Sequence, residues 1–401
     1  MSYIDGYFDR NSDIIRVVER QNKERIFKEY PIKYTFYHED PGGKFKSTTG
    51  KPLSRIVSKN TKDFHKELAI NRNKTLFESD INPIYQCLSE NYLNQDAPDL
   101  NIAFFDIEAD FDPEKGFSQP SDPFMPITAI TVSLQWLGTM ATFAIPPKTM
   151  DIEEAKELTK GIDNVYLYKD EADMLKAFLD IIEDADVISG WNSEGYDLPY
   201  IINRIKKVMS KDDTRRLCLW KQMPKKRTFE RYGREQETYD LVGRVHLDSL
   251  ELYRKYTYEE RHSYRLDAIG EHEIGEKKTV YEGSLDQLYN QDFRTFIEYN
   301  RQDVALLDKL DRKLRFIALS NELAHANTVL LQTTLGAVAV TEQAIINEAH
   351  RRGVQVPNRP KREENSTTAA GAYVAYPRKG LHSWIGSMDI NSLYPLSLIH
   401  I

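Results

Sequence analysis

The stretch NIAFFDIEAD, residues 101–110, sets two acidic side chains into a run of apolar residues. The apolar run predicts a buried β-strand. Successive side chains of a strand point to opposite faces, so Asp106 and Glu108 leave the same face of the sheet. Like charges this close repel each other unless a cation lies between them, and Mg²⁺ or Mn²⁺ prefers oxygen ligands. The alternative is a solvent-facing pair at a strand end, which these two residues alone do not exclude.

The segments around this strand predict a layered sheet-and-helix domain. Residues 126–137 and 140–146 indicate two more strands, and residues 186–192 a short apolar strand. Residues 170–185 carry apolar side chains at helical spacing. The predicted fold class is therefore α/β around this sheet, and α+β for the short alternating stretches of residues 1–100.

The composition is that of an ordinary globular protein, with 40% hydrophobic and 29% charged residues. Its 401 residues predict two or three domains. No apolar run approaches the roughly 20 residues of a membrane helix, and the N-terminus lacks the pattern of a secretory signal. The only cysteines are Cys87 and Cys218, which fits a reducing compartment. The chain is therefore predicted to be cytoplasmic, in the host cytoplasm if viral. No membrane partner is expected.

Two further segments carry acids in unusual surroundings. In GWNSEGYDLPYIINRI, residues 190–205, Asp197 follows the short strand and precedes an amphipathic run. A helix N-cap with Pro199 in the first turn explains Asp197 equally well. In FRTFIEYNRQDVALLDKL, residues 293–310, Tyr299 and Asp303 are four apart and share a helix face. An ordinary buried Tyr–Asp hydrogen bond is the alternative there.

Taken together, D-x-E on a strand, N-x4-D after a strand and Y-x3-D on a helix resemble the three exonuclease motifs of family B DNA polymerases. The subtype is the one with Tyr before the last Asp (DEDDy). YEERHSYRLDAIGEHEIGEKK, residues 258–278, resembles the element between the second and third motifs. The second motif and the layout of the whole chain resemble replicative polymerases of T-even-type bacteriophages. The resemblance implies an RNase H-like exonuclease domain with a mixed sheet.

The resemblance also implies a 3′–5′ proofreading exonuclease that releases deoxynucleoside monophosphates by two-metal hydrolysis. Asp106, Glu108 and Asp303 would hold one Mg²⁺ or Mn²⁺ ion, and Asp106 with Asp197 a second. Tyr299 would orient the attacking water. The expected substrate is a single-stranded or frayed DNA 3′ end.

Basic and aromatic residues near the motifs are candidates for contact with DNA. Residues 201–240 hold 12 Lys or Arg against 6 Asp or Glu, in a chain of net charge −8. FERYGREQETYDL, residues 229–241, predicts two extended arms around a turn and resembles the hairpin that parts primer from template in phage relatives. A solvated surface and core packing are the alternatives, and core is preferred for Phe105. The DNA-binding or supporting candidates are Trp191, Asn192, Tyr196, Lys225, Lys226, Arg227 and Tyr232.

The stretch TAAGAYVAYPRKGLHSWIGSMDINSLYP, residues 368–395, resembles the G-A-x-V element and motif A of the same polymerases. By that match Asp389 would be a metal ligand of an incomplete polymerase site, and Tyr394 would sense the ribose. The residues that complete such a site do not follow, so we expect no DNA synthesis by this chain alone. A separately encoded polymerase half and a sliding clamp are the further partners considered.

The same resemblance divides the chain into domains. Residues 1–100 with 317–360 would form an N-terminal domain, residues 101–316 the exonuclease domain, and residues 361–401 a partial palm segment. Three alternatives stay open: a non-catalytic template-binding subunit, half of a split polymerase that acts only with a partner chain, and an RNA-processing exonuclease with the same site chemistry.

Overall fold

The computed structural model describes residues 2–231, 234–279, 283–360, 371 and 373–388, with the backbone alone at 229–231 and 234–235. The chain divides into two compact units, Met1–Asn358 and Arg359–Ile401. The described residues of the second unit form no helix or strand. In the described part of the chain, no helix combines the length and apolar character needed to cross a membrane.

The strands are β1 (Ser2–Asp9), β2 (Ile14–Gln21), β3 (Glu24–Pro31), β4 (Tyr34–Glu39), β5 (Phe45–Ser47), β6 (Pro52–Ser58), β7 (Leu76–Phe77), β8 (Ile102–Ala109), β9 (Ile127–Leu134), β10 (Thr139–Ala144), β11 (Val165–Leu167), β12 (Val187–Ser189), β13 (Lys225–Arg231), β14 (Arg234–Asp240), β15 (Val245–His246) and β16 (Val354–Gln355). The helices are α1 (Thr61–Ile70), α2 (Pro83–Tyr92), α3 (Ile152–Leu158), α4 (Glu171–Ile181), α5 (Asp197–Val208), α6 (Ser249–Tyr256), α7 (Leu266–Ile274), α8 (Leu285–Gln291), α9 (Phe293–Leu314), α10 (Phe316–Asn327) and α11 (Ala337–Arg351). Short 3₁₀ helices span Asp212–Leu217 and Leu331–Leu335.

A six-stranded mixed sheet forms the centre of the first unit, in the order β11-β10-β9-β8-β12-β15. Strand β9 runs antiparallel to β8 and β10, whereas β12 runs parallel to both β8 and β15. Every residue of β9 is buried, because protein covers both faces of the sheet. The strands predicted within residues 101–110, 126–137, 140–146 and 186–192, and the helix predicted within 170–185, are confirmed.

The two faces of the sheet pack into separate cores. Along β8, Phe105 and Ile107 belong to the core that includes side chains of α4 and α5. Phe104 belongs to the opposite core, which includes Val304 and Leu307 of α9. Phe105 is therefore a core residue, as the sequence predicts. Because side chains alternate along a strand, Asp106 and Glu108 continue the series of Phe104 and point toward α9.

The N-terminal residues form two further sheets, a three-stranded one in the order β1-β2-β3 and a five-stranded one in the order β16-β5-β6-β4-β7. Strand β16 lies parallel to β5, so residues 354–355 complete a sheet otherwise built from residues 34–77. The hydroxyl of Tyr3 lies 2.8 Å from the carbonyl oxygen of Ala324 and 2.6 Å from that of Val329. Distant parts of the chain thus pack together here.

A buried ion network joins the N-terminal sheet to the central sheet. The guanidinium of Arg20 donates to both carboxylate oxygens of Asp186, at 2.5 and 2.8 Å, and to Asp184 at 2.9 Å. The side chains of Arg20 and Asp186 are 3% and 0% exposed. Asp186 also accepts from the backbone N–H of Asn101 at 2.9 Å, directly before β8. The network therefore fixes the start of the strand that carries Asp106 and Glu108.

Replacement of Arg20 with Met should lower the free energy of unfolding by about 3–5 kcal/mol, because it leaves a buried carboxylate without its main cation. Urea denaturation of the two proteins measures this difference. As a control, Lys33→Ala breaks an exposed pair with Glu90 and should cost about 1 kcal/mol or less. Equal losses in both variants would contradict a special role for the buried network.

Candidate active site

Three carboxylates meet between strand β8 and helix α9. One oxygen from each of Asp106, Glu108 and Asp303 lies within 4.8 Å of the other two. The side-chain amide of Asn300 donates to Oδ2 of Asp106 at 2.8 Å and so fixes the orientation of that carboxylate. Residues almost 200 positions apart in the sequence thus form one acidic cluster.

Helix α9 supplies its share of the cluster from one face. Asp292 caps the helix by accepting from the backbone N–H of Thr295. The buried residues of the helix are Phe293, Phe296, Ile297, Asn300, Asp303, Val304, Leu306, Leu307 and Leu310. Asn300 and Asp303 are three apart, which brings both onto the side that faces β8. The apolar neighbours therefore hold two polar groups against the sheet.

Asp197 contacts strand β8 on the side where β12 pairs with it. Strand β12 ends at Ser189, opposite Phe104 of β8. Beyond that point the Oδ1 of Asp197 accepts from the backbone N–H of Ile107 at 3.3 Å. The N-cap alternative for Asp197 is wrong, because α5 begins at Asp197 and has Tyr196 as its N-cap residue. The carboxylate is directed to the strand that carries Asp106 and Glu108.

Lys278 supplies a positive charge at the cluster. Its Nζ forms an ion pair with Asp303 and lies 3.3 Å from the hydroxyl of Tyr299. Burial alone opposes the charged form, but the neighbouring Asp303 and Tyr299 raise the pKa of Lys278 above its usual value. The sequence predicts that Tyr299 and Asp303 share one face of α9. This is confirmed, because the ammonium group of Lys278 contacts both side chains.

The acids of the site hold their protons more tightly than usual. Burial, followed by repulsion from Asp197, Glu108 and Asp303, raises the pKa of Asp106 well above its usual value. Burial, with repulsion from Asp303, raises the pKa of Glu108 to about 8. Burial raises the pKa of Asp197 to about 7. Full ionisation of the cluster is therefore costly without more positive charge than Lys278 provides.

The donor set fits a hard divalent cation. Carboxylate oxygens are the ligands that Mg²⁺ and Mn²⁺ prefer. The Oδ1 of Asp303 is buried and has no hydrogen-bond partner among the described residues, and the same holds for Oδ1 of Asn300. Buried acceptors without partners are rare in folded proteins. Asp106, Glu108 and Asp303 could hold an ion. The carboxylate of Asp197 is hydrogen-bonded to the backbone between the first two, at Ile107.

The aromatic candidates Trp191 and Tyr196 are partly buried. The ring nitrogen of Trp191 donates to the carbonyl oxygen of Tyr264 at 3.0 Å. The ring of Tyr196 lies 5.4 Å from that of Tyr200 and packs against the α4–α5 core. Asn192 occupies a turn with a φ of 60°. Contact of these residues with DNA stays a prediction.

The predicted hairpin is confirmed as the antiparallel pair β13 and β14, in which Arg231 faces Arg234. The three basic residues at its start have partners within the chain. Lys225 lies 5.0 Å above the ring of Tyr7, and Lys226 pairs with Glu237 at 2.5 Å. Arg227 pairs with Glu194 and, at 3.0 Å, with Asp240. The remaining candidates, Tyr232, Asp389 and Tyr394, lie outside the described residues.

Two residues of the site are not among the sequence-based candidates, Lys278 and Asn300. Asn300 directly follows Tyr299 and precedes Asp303 by three, so helical spacing could have identified it. Lys278 closes the segment 258–278, whose resemblance to the element between the second and third motifs gives its only sequence signal. No residue spacing relates Lys278 to Asp303, because the contact depends on the loop that follows α7.

Comparison with known proteins identifies the family of the chain. Residues 55–269 match the family model described as DNA polymerase family B, exonuclease domain. The chain is 27% identical to the DNA-directed DNA polymerase of Escherichia phage RB69 across 98% of its length, and 25% identical to that of Enterobacteria phage T4 across 96%. It spans 45% of the length of each of these two polymerases. The DNA polymerase delta catalytic subunit of Bos taurus is 31% identical across 58% of the chain and 22% of its own length. The chain therefore belongs to DNA polymerase family B and carries the exonuclease domain of that family.

Proposed function

We propose that this chain is a metal-dependent 3′–5′ DNA exonuclease of the proofreading type. The observation that carries the proposal is the convergence of Asp106, Glu108 and Asp303 within 4.8 Å, in a chain that belongs to this family. Asp197 adds a fourth carboxylate at the neighbouring N–H of Ile107. Four carboxylates with raised pKa values are a costly arrangement for a protein that only binds nucleic acid.

The sheet supports a DEDDy exonuclease domain of the RNase H-like class. Its first three strands, β8, β9 and β10, form an antiparallel series, and β12 and β15 add in parallel on the other side of β8. The first acids then lie on the central strand, with Asp197 and Asp303 on helices from either side of the sheet. This topology places the four proposed ligands on three elements, with Asp106 and Glu108 on β8, Asp197 on α5 and Asp303 on α9.

Asp106, Glu108 and Asp303 would hold one Mg²⁺ or Mn²⁺ ion, and Asp106 with Asp197 a second. Ions bound there would supply Lewis-acid chemistry, acidifying a water and stabilising the charge on the leaving 3′ oxygen. The amide of Asn300 keeps Asp106 in a single orientation. That contact leaves the carboxylate preorganised before any ion binds.

Tyr299 would orient the attacking water through its hydroxyl. Burial and the nearby Asp303 raise the pKa of Tyr299, so the phenol keeps its proton at neutral pH and can donate a hydrogen bond. Lys278, 3.3 Å from that hydroxyl, offsets part of the negative charge of the cluster and positions Tyr299. Proton donation and orientation, rather than nucleophilic attack, are the roles open to this pair.

The proposed substrate is a single-stranded or frayed DNA 3′ end, with a deoxynucleoside monophosphate as product. The β13–β14 hairpin would help part the strands, with Trp191 and Tyr196 stacking on bases. Residues 1–100 with 317–360 are proposed as the N-terminal domain and 101–316 as the exonuclease domain. We propose the remaining segment, 361–401, as a partial palm, with a polymerase half and a clamp as partners.

Replacing Asp106 or Asp303 with Ala should nearly abolish release of mononucleotides from a 3′-labelled single strand, because each removes a proposed ion ligand. Tyr299→Phe should only slow the release, since the carboxylates remain. Rates measured with Mg²⁺, with Mn²⁺ and with EDTA test both statements. Asp212→Ala, an exposed acid paired with Arg215, is the matched control and should keep the full rate.

The second candidate function is template binding without catalysis, favoured by the basic residues of the hairpin. It predicts tight binding of single-stranded DNA with no metal-dependent release of mononucleotides. Faster release from RNA than from DNA oligonucleotides would instead favour an RNA-processing nuclease. Equal losses in the Asp106, Asp303 and Tyr299 variants would contradict the separate roles given to them.

The metal-free protein should lose stability as the pH rises from about 4.5 to about 8. Across this range the folded protein keeps protons that the unfolded chain has released, since burial raises the pKa of Glu108 from 4.5 to about 8 and that of Asp197 from 3.8 to about 7. The folded state binds more protons than the unfolded state, so the free energy of unfolding falls with pH. Added Mg²⁺ should reverse much of this loss by pairing with the ionised acids.

Melting temperatures in EDTA and in Mg²⁺ across this pH range provide the measurement. Glu108→Gln removes the group with the pKa of about 8, so its melting temperature in EDTA should depend less on pH. A melting temperature in EDTA that rises from acidic to alkaline pH, or that Mg²⁺ leaves unchanged, would contradict a metal-binding acidic cluster.

A further inference from the structure

A buried carboxylate outside the acidic cluster holds the turn that leads to Asp197. Asp248 follows strand β15 and caps helix α6, where its Oδ1 accepts from the backbone N–H of Leu250 at 2.9 Å. The same oxygen accepts from the N–H of Asn192 at 3.0 Å, and Oδ2 accepts from the N–H of Glu194 at 3.0 Å. Asp248 is 2% exposed. Two of its three amide partners belong to a different segment of the chain.

The residues on either side of Asp248 hold the same turn, residues 190–196. Nε2 of His246 lies 2.9 Å from the hydroxyl of Ser193, and both side chains are buried. Burial lowers the pKa of His246 to about 3, so the ring is neutral. The N–H of Ser249 donates to the carbonyl oxygen of Gly190 at 2.9 Å. The corner formed by residues 246–249 therefore supports the turn at its start and in its middle.

The 190–196 turn is strained at the position where Asp248 holds it. Asn192 has a φ of 60°, in the left-handed region, which Asn adopts more readily than most side chains but still uncommonly. Its carbonyl oxygen accepts from the N–H groups of Gly195 and Tyr196, at 3.1 and 3.2 Å. Asp197 is the next residue and begins α5. A strained conformation persists only where surrounding contacts hold it, and Asp248 supplies such a contact to Asn192 and to Glu194.

We infer that Asp248 is a positioning residue for the metal site, because its carboxylate fixes the turn that directs Asp197 toward strand β8. This inference rests on the proposed exonuclease function. Asp248 is not one of the three clustered carboxylates, and no contact with the substrate is proposed for it. It acts through the backbone of Asn192 and Glu194. Without these hydrogen bonds, Asp197 should move away from Ile107. Binding of the second ion, at Asp106 and Asp197, should then weaken more than binding of the first.

Two substitutions separate this role from helix capping. Asp248→Asn keeps the shape but puts an amide nitrogen where one of the three N–H donors needs an acceptor. Asp248→Ser keeps a side chain that caps helices well and is too short to hold the turn. Asp170→Asn is the control, since Asp170 caps α4 and accepts from Asp173 at 2.9 Å within its own helix.

Mn²⁺ binding, followed by the paramagnetic resonance of the free ion, gives a readout independent of activity. Both Asp248 variants should bind the weaker Mn²⁺ ion about 10- to 100-fold less tightly, as expected for a residue that orients a ligand. Their exonuclease rate should recover at saturating Mn²⁺. Asp170→Asn should match the wild type in both assays, and thermal melts should show which variants are folded at the assay temperature.

The outcomes separate this inference from the function on which it rests. Wild-type protein that binds no Mn²⁺ and releases no mononucleotide would overturn both. Active wild type, with a folded Asp248 variant that binds Mn²⁺ as tightly as wild type does, would overturn the positioning role alone. A variant that loses activity equally at all Mn²⁺ concentrations would also contradict it. Asp248→Ser decides the question where Asp248→Asn does not fold.

Discussion

The charge repulsion among Asp106, Glu108 and Asp303 is the constraint on which the rest of the site depends. Their carboxylates lie within 4.8 Å of one another in a largely buried setting, and such groups cannot all ionise without compensating positive charge. Lys278 provides one positive charge, at Asp303. Asn300 holds Asp106 without adding charge. The remaining deficit of positive charge is what a divalent cation would supply in the proposed exonuclease.

The fold meets this constraint by distributing the acids over elements that cannot move independently. Strand periodicity sets Asp106 and Glu108 on one face of β8. Helix α9 carries Asp303 and packs its apolar residues against that face, and α5 carries Asp197 at the opposite edge. The buried network of Arg20 and Asp186 anchors the backbone just before β8. Each of these acids is thus held by the core itself, which limits the relaxation that would otherwise relieve the repulsion.

Much of this arrangement could be predicted from the sequence, because it follows from local periodicity. The two-residue spacing in FFDIEA fixed the face of Asp106 and Glu108, and the four-residue spacing of Tyr299 and Asp303 fixed theirs. The N-cap alternative for Asp197 was equally consistent with the local pattern, and it is excluded by the start of α5 at Asp197, with Tyr196 as the N-cap residue. Lys278 and Asp248 were not predicted, since their contacts depend on where a loop and a strand-to-helix corner lie in three dimensions. Local spacing carries no information about such contacts.

The supporting groups differ in kind from the ligands, and the difference has a physical reason. A ligand must keep an oxygen available for a cation, and Oδ1 of Asp303 has no hydrogen-bond partner among the described residues. A group that holds backbone needs permanent acceptors and no solvent, and Asp248, 2% exposed, accepts three N–H bonds. Burial raises the pKa of Asp248 to about 7. Its amide donors favour the charged form and oppose that rise, so one carboxylate serves as a structural acceptor while its neighbours stay available to a cation. The stability lost through repulsion among the acids is the usual cost of a preorganised site. The buried network of Arg20 and Asp186 and the cores on both faces of β8 offset that loss.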